Sequence, residues 1–174
     1  MNKILLVGYM GSGKSTVGKV LAEKLNLPFF DLDLIIEQKE QKLIQEIFAT
    51  KGEIYFRKVE HQILHQFIKD NSNQAYVLSL GGGTPCYANN HEVLQQDNIF
   101  SIYLKTSIKQ LVDRLSSSSN KRPLVTDKSN EELTEFVAKH LFDRSYFYHQ
   151  SRYTISTDGK KTMEVVNDIV ALLA

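Results

Sequence analysis

The stretch GYMGSGKST, from Gly8 to Thr16, sets three glycines ahead of a lysine and two hydroxyls. It satisfies the G-x-x-x-x-G-K-S pattern of a phosphate-binding loop, with Gly8, Gly13, Lys14 and Ser15 at the defining positions. The chemistry follows from the residue types. Glycines at 8, 11 and 13 carry no Cβ, so backbone N–H groups can turn inward around phosphate oxygens. A helix starting near Lys14 adds its partial positive end. Lys14 reaches the β- and γ-phosphates as a point charge, and Ser15 offers its hydroxyl to Mg²⁺. The ligand this predicts is a nucleoside triphosphate.

Further along, FFDLD places Asp31 and Asp33 two residues apart at the predicted end of a strand, so their side chains are expected on one side. One carboxylate could hold Mg²⁺ through water and the other could orient or deprotonate an acceptor hydroxyl. The competing reading of Asp33 is a helix N-cap. In GEIYFRKVE, Glu53 and Arg57 are spaced i,i+4, and Arg57 and Glu60 i,i+3. Alone this describes a solvated ladder worth ~0.2–0.5 kcal/mol per pair. It also describes an arginine held in one rotamer for bidentate carboxylate recognition. Gly81–Gly83 end a predicted strand, where backbone N–H groups could approach a small ligand. Arg122 lies in SSSSNKRP, a serine-rich stretch suited to a lid that brings positive charge onto a transferring phosphate. The same stretch holds Asn120 and Lys121 but no carboxylate two residues on, so it is no guanine reader. His61 and His65 lack the glutamate of a zinc-protease motif and read as ordinary helix residues. Cys86 reads as structural.

These residues need a scaffold, and the chain describes one. Apolar runs at 3–8, 28–33, 75–80, 99–104 and, more weakly, 153–157 predict buried parallel strands. Between them lie amphipathic helices: Val17, Leu21 and Leu25 on one face, Phe56, Val59, Ile63 and Phe67 on another. A last stripe, Val166, Ile169, Val170 and Leu173, follows Thr162 as a candidate N-cap. Alternating strands and helices imply a parallel sheet covered on both faces, with ligands outside the carboxyl ends of the strands. The 174 residues suit one domain, and the net charge of +1 argues against a duplex-coating protein. The single cysteine suits a reducing compartment. No stretch approaches the ~20 apolar residues of a membrane span, and the N-terminal apolar run stops at Gly8, short of a signal core. A cytoplasmic location is expected.

Taken together, GYMGSGKST, FFDLDLIIE, GEIYFRKVE, VLSLGGGTP, NKRPL and RSYFY resemble the shikimate kinase family of P-loop kinases, in order and over essentially the whole chain. The resemblance implies an α/β fold of the P-loop NTPase type, a three-layer αβα sandwich around a five-stranded parallel sheet ordered 2-3-1-4-5. It implies one domain over 1–174, with substrate-binding helices at about 32–69 and a lid at about 115–128. The implied activity is ATP-dependent, Mg²⁺-requiring phosphorylation of the 3-hydroxyl of shikimate, on the route to aromatic amino acids. Gly11, Ser12, Gly13, Lys14, Ser15 and Thr16 would hold ATP phosphates, with Arg114 and Lys160 on the adenine side. Ser15 would ligate Mg²⁺, and Asp31 would reach it through water. Asp33 would contact the shikimate hydroxyls as the base. Arg57 and Arg144 would carry the shikimate carboxylate, Gly82 a hydroxyl, and Arg122 the phosphates. Family members are commonly monomeric. A gluconate-type kinase would share the P-loop but not the Asp31–Asp33 and Glu53–Arg57 motifs. A regulatory module that had lost catalysis would lack Lys14, Asp33 or Arg122, and none is missing.

Overall fold

The computed structural model describes residues 3–117 and 128–174. Its centre is β1 (Lys3–Val7), every residue of which is buried. Successive side chains of a strand point to opposite faces. Leu5 and Val7 therefore enter one core while Ile4 and Leu6 enter the other. An unbroken apolar run is what a strand covered on both sides requires. Around β1 stand β2 (Phe29–Asp31), β3 (Tyr76–Ser79), β4 (Ile99–Lys105) and β5 (Tyr153–Ser156), all parallel and ordered β2-β3-β1-β4-β5.

On one face pack α1 (Lys14–Leu25) and α6 (Thr162–Leu173), through Val17, Leu21, Val166 and Ile169. The opposite core takes Ile36 from α2 (Leu32–Glu40), Phe56, Val59 and Ile63 from α3 (Ile44–Asp70), Leu111 from α4 (Ile108–Ser117) and Val137 from α5 (Asn130–Tyr148). The result is the three-layer αβα sandwich of the P-loop NTPases, with the expected strand order. Among the described residues no helix is long and apolar enough to cross a membrane.

Several boundaries differ from the sequence-based expectation. β2 stops at Asp31, not Asp33, because the Asp31 side chain accepts a hydrogen bond from the Asp33 N–H at 3.0 Å and starts α2. Asp33 thus lies in the first helical turn, and Asp31 is the N-cap. The α6 cap position belongs to Lys161 rather than Thr162. The Glu164 carboxylate reaches back 2.6 Å to the Lys161 N–H, satisfying that donor one residue earlier. The first residues of the stretch expected to form a lid, 115–117, are helical. Leu115–Ser117 complete α4, with Ser116 and Ser117 hydroxyls donating to the carbonyls of Val112 and Asp113. Arg122 falls outside the described residues. α3 kinks at Gly52, whose φ of 80° suits glycine, so the segment bearing Arg57 takes its own direction.

Candidate active site

At the N-terminus of α1 the loop after β1 wraps a recess of about 490 Å³ lined by Gly11–Thr16 and Val17. Gly13 caps the helix with φ 93°, a left-handed conformation costly for any residue with a Cβ. Lys14 is nearly buried, and its Nζ donates to the carbonyls of Gly8 (2.8 Å) and Tyr9 (3.0 Å). The ammonium is thereby held inside the loop. Arg114 and Lys160, from α4 and the turn after β5, both reach the same recess. Arg114 is anchored by a 3.0 Å hydrogen bond to the Gly11 carbonyl, and Lys160 pairs with Asp168 at 2.8 Å. The sequence reading missed Thr157, Thr162 and Val165, which also line it. Thr157 follows the last strand, so the strand-end rule could have found it.

Beside the loop, the Ser15 hydroxyl donates to Asp31 Oδ2 at 2.6 Å. Asp31 thus bridges two elements, with one oxygen on Ser15 and the other on the Asp33 N–H. The hydroxyl and carboxylate at this helix start form an all-oxygen donor set, the type a hard dication such as Mg²⁺ prefers.

The second half of the site is organised by three consecutive glycines, in a way the sequence did not show. A Cβ on Gly81 would lie 2.9 Å from Asp33 Oδ1 and 3.2 Å from Glu60 Oε1. One on Gly82 would lie 3.4 Å from Arg144 Nη1, and one on Gly83 would lie 2.6 Å from Arg57 Nη2. Each glycine clears space for a different charged side chain. Gly82 also abuts the phosphate loop, 3.4 Å from the Met10 nitrogen measured the same way. Asp33, Arg144 and Arg57 therefore converge on one short loop beside the P-loop.

Arg57 is not a solvated ladder member. Its Nη1 donates to Glu60 Oε2 at 2.8 Å and its Nε to Glu53 Oε1 at 3.4 Å. The Glu60 side chain is 1% exposed, and its other oxygen accepts the Thr84 hydroxyl at 2.7 Å. Burial alone would pull the Arg57 pKa down; the charge and hydrogen bond of Glu60 outweigh it and leave it raised. Behind Arg144, the buried Tyr148 donates its hydroxyl to the Gly82 carbonyl at 2.5 Å and pins the loop. Desolvation raises the Tyr148 pKa, so it remains a donor.

Cys86 lies half-buried next to this loop, and burial pushes its thiol up to about 11 against the opposing pull of Arg144 and Arg57. At pH 8 only ~10⁻³ of it is thiolate, so iodoacetamide should alkylate it roughly a hundredfold more slowly than free cysteine. Mass spectrometry over time measures this; labelling at the free-cysteine rate would contradict the described burial. His61 and His65 turn ring nitrogens toward Asn90 Oδ1, at 2.7 and 3.3 Å. Among the described residues no group of three or more His, Cys, Asp or Glu could hold a metal.

A phosphate-binding loop beside two arginines and an aspartate that converge on one glycine loop, at the carboxyl ends of one parallel sheet, makes this a small P-loop kinase. The sequence profile of shikimate kinase matches residues 10–174. A shikimate kinase of Flavobacterium psychrophilum is 53% identical over 173 residues, covering 99% of each chain. The crystal structure of the Bacteroides thetaiotaomicron shikimate kinase superposes with a TM-score of 0.90 at 35% identity, covering 98% of this chain and 97% of that one. The Acinetobacter baumannii shikimate kinase, solved in complex with shikimate, gives 0.84 at 35% identity, covering 99% and 92%. The chain belongs to the shikimate kinase family.

Proposed function

We propose that the chain transfers the γ-phosphoryl group of ATP to the 3-hydroxyl of shikimate, giving shikimate 3-phosphate and ADP on the route to aromatic amino acids. The observation that carries this reading is the convergence of Arg57, Arg144 and Asp33 on Gly81–Gly83, against the phosphate loop. Shikimate is a small monoanionic polyol. Two arginines from α3 and α5 bracket its carboxylate, while the Gly82 backbone and Asp33 take its hydroxyls. Asp33 accepts the proton of the attacking hydroxyl. Backbone N–H groups of Gly11–Thr16, the start of α1 and Lys14 hold the phosphates. Arg114 and Lys160 flank the adenine. Ser15 and, through water, Asp31 would hold Mg²⁺, which offsets charge on the transferring group. Arg122 meets the phosphates from the segment outside the described residues. The catalytic work is orientation and charge stabilisation, as phosphoryl transfer requires. Both half-sites come from one chain, which suits a single-domain monomer working in the cytoplasm, where ATP is supplied.

A coupled assay of ADP release with shikimate, quinate and gluconate tests the assignment. Shikimate should be turned over with the highest kcat/KM; equal or better turnover of gluconate would overturn it.

Arg57→Lys tests the carboxylate contact. Lysine keeps the charge but loses the planar fork. Charged hydrogen bonds are worth ~1.5–3 kcal/mol each, so the KM for shikimate should rise roughly tenfold to a hundredfold per bond lost, with that for ATP little changed. An exposed salt-bridge member would instead lose a few tenths of a kcal/mol of stability and leave kinetics alone. Steady-state kinetics beside a thermal melt separates the two.

A further inference from the structure

The geometry points to Tyr87 as a positioning residue that fixes Arg57 for the acceptor's carboxylate. This rests on the reading of Arg57 given above. The Tyr87 ring centroid lies 4.0 Å from the Arg57 guanidinium carbon, and the Phe56 ring lies at 5.1 Å. The Tyr87 hydroxyl donates to Glu53 Oε1 at 3.1 Å, the same oxygen that accepts from Arg57 Nε. Tyr87 therefore touches the arginine and one of the two carboxylates that hold it. With Glu60 on Nη1 and Glu53 on Nε, no hydrogen bond among the described residues engages Nη2. The covered face and the occupied edge leave that donor pair for an incoming anion.

The segment that delivers Tyr87 is itself held in place. Ala88 and Asn89 are consecutive left-handed residues at φ 49° and 57°, a conformation that disfavours an alanine and persists where the surroundings enforce it. Next in line, Asn90 is 1% exposed. Its Nδ2 donates to the Thr84 carbonyl at 3.0 Å, and its Oδ1 faces His61 and His65 on α3. The two histidines thus have a structural use: they tie the Tyr87 strap to the helix that carries Arg57.

A ring over a guanidinium is worth about two- to thirtyfold in an equilibrium, depending on desolvation. Tyr87→Ala should therefore raise the KM for shikimate roughly three- to thirtyfold, with kcat and the KM for ATP within about twofold. Tyr87→Phe keeps the ring but loses the hydrogen bond to Glu53, so its KM for shikimate should fall between those of wild type and Tyr87→Ala; a KM as high as that of Tyr87→Ala would overturn the role of the ring. Tyr87→Leu retains bulk without an aromatic face and should raise the KM for shikimate over the same range, so it carries the test if Tyr87→Ala fails to fold. Tyr87→Trp keeps the stack and introduces the sole tryptophan of a chain that has none. Its fluorescence should change saturably on titration with shikimate in the absence of nucleotide. Arg57→Lys runs alongside as the reference. If Arg57→Lys raises the KM but Tyr87→Ala and Tyr87→Leu do not, the positioning role is overturned while the Arg57 reading stands. If Arg57→Lys itself leaves the KM unchanged, the Arg57 reading falls and the role of Tyr87 with it.

Discussion

Lys14→Met should abolish most phosphoryl transfer while leaving the fold in place. The lysine Nζ sits within the loop, donating to the carbonyls of Gly8 and Tyr9. In that position it adds a full positive charge to the backbone dipoles of the loop. Methionine has similar length and tolerates irregular packing, so the nearly buried site is refilled rather than emptied. What disappears is the charge that the proposed function assigns to the β- and γ-phosphates. Loss of one preorganised electrostatic partner costs roughly 10²–10³ in turnover, and a full charge in a partly desolvated loop belongs at or above the upper end. The carbonyls of Gly8 and Tyr9 lose a donor but can be hydrated at the open recess. The circular dichroism spectrum should match wild type, and the melting temperature should move by no more than a few degrees. ADP release in the coupled assay measures the effect. Near-normal turnover in a folded variant would remove the phosphate-loop lysine from the proposed chemistry.

Asp33→Asn should lower turnover by roughly 10²–10⁴, the usual range for loss of a general base. The substitution keeps the shape of the side chain and removes its charge and basicity. The structure explains why the fold should survive. The cap of α2 belongs to Asp31, which accepts the Asp33 backbone N–H whatever residue 33 carries. The variant forfeits the interaction of a first-turn carboxylate with the helix N-terminus, about 0.3–1 kcal/mol. Had Asp33 been the cap, lost activity could have reflected a frayed α2. Kinetics with shikimate and ATP, beside a melt, checks both halves. Wild-type kcat in the purified variant would overturn the assigned role.

The phosphate loop was legible in the sequence because its chemistry is local. Gly8, Gly11, Gly13, Lys14 and Ser15 act within one loop, and the strand before them and the helix after them are written in residues 3–25. The Glu53–Arg57–Glu60 spacing was legible for the same reason, since helical periodicity alone brings those side chains together. A parallel sheet covered on both faces followed from the alternation of apolar runs with amphipathic stripes, whereas its strand order came from the family resemblance alone. Asp33 was singled out by a faulty route. The strand was expected to carry it, and a side-chain cap at Asp31 turns the chain into a helix two residues earlier. Whether a backbone continues extended or coils at such a point rests on one hydrogen bond, which period-2 patterning does not encode.

Tertiary structure alone decided the rest, because the partners are distant in the chain. Glu60 is buried against Thr84, 24 positions away, which turns a surface ladder into a fixed arginine. Tyr148 reaches Gly82 across 66 positions, and Arg114 reaches Gly11 across 103. The triple glycine read as open backbone for a ligand, and packing shows it is also the clearance that admits Asp33, Arg144 and Arg57 side by side. A sequence specifies which side chains a segment offers and, through its periodicity, which face they share. It does not specify how closely two remote segments approach, and that approach, of glycines to the guanidinium groups of Arg57 and Arg144, brings charged residues on separate helices together.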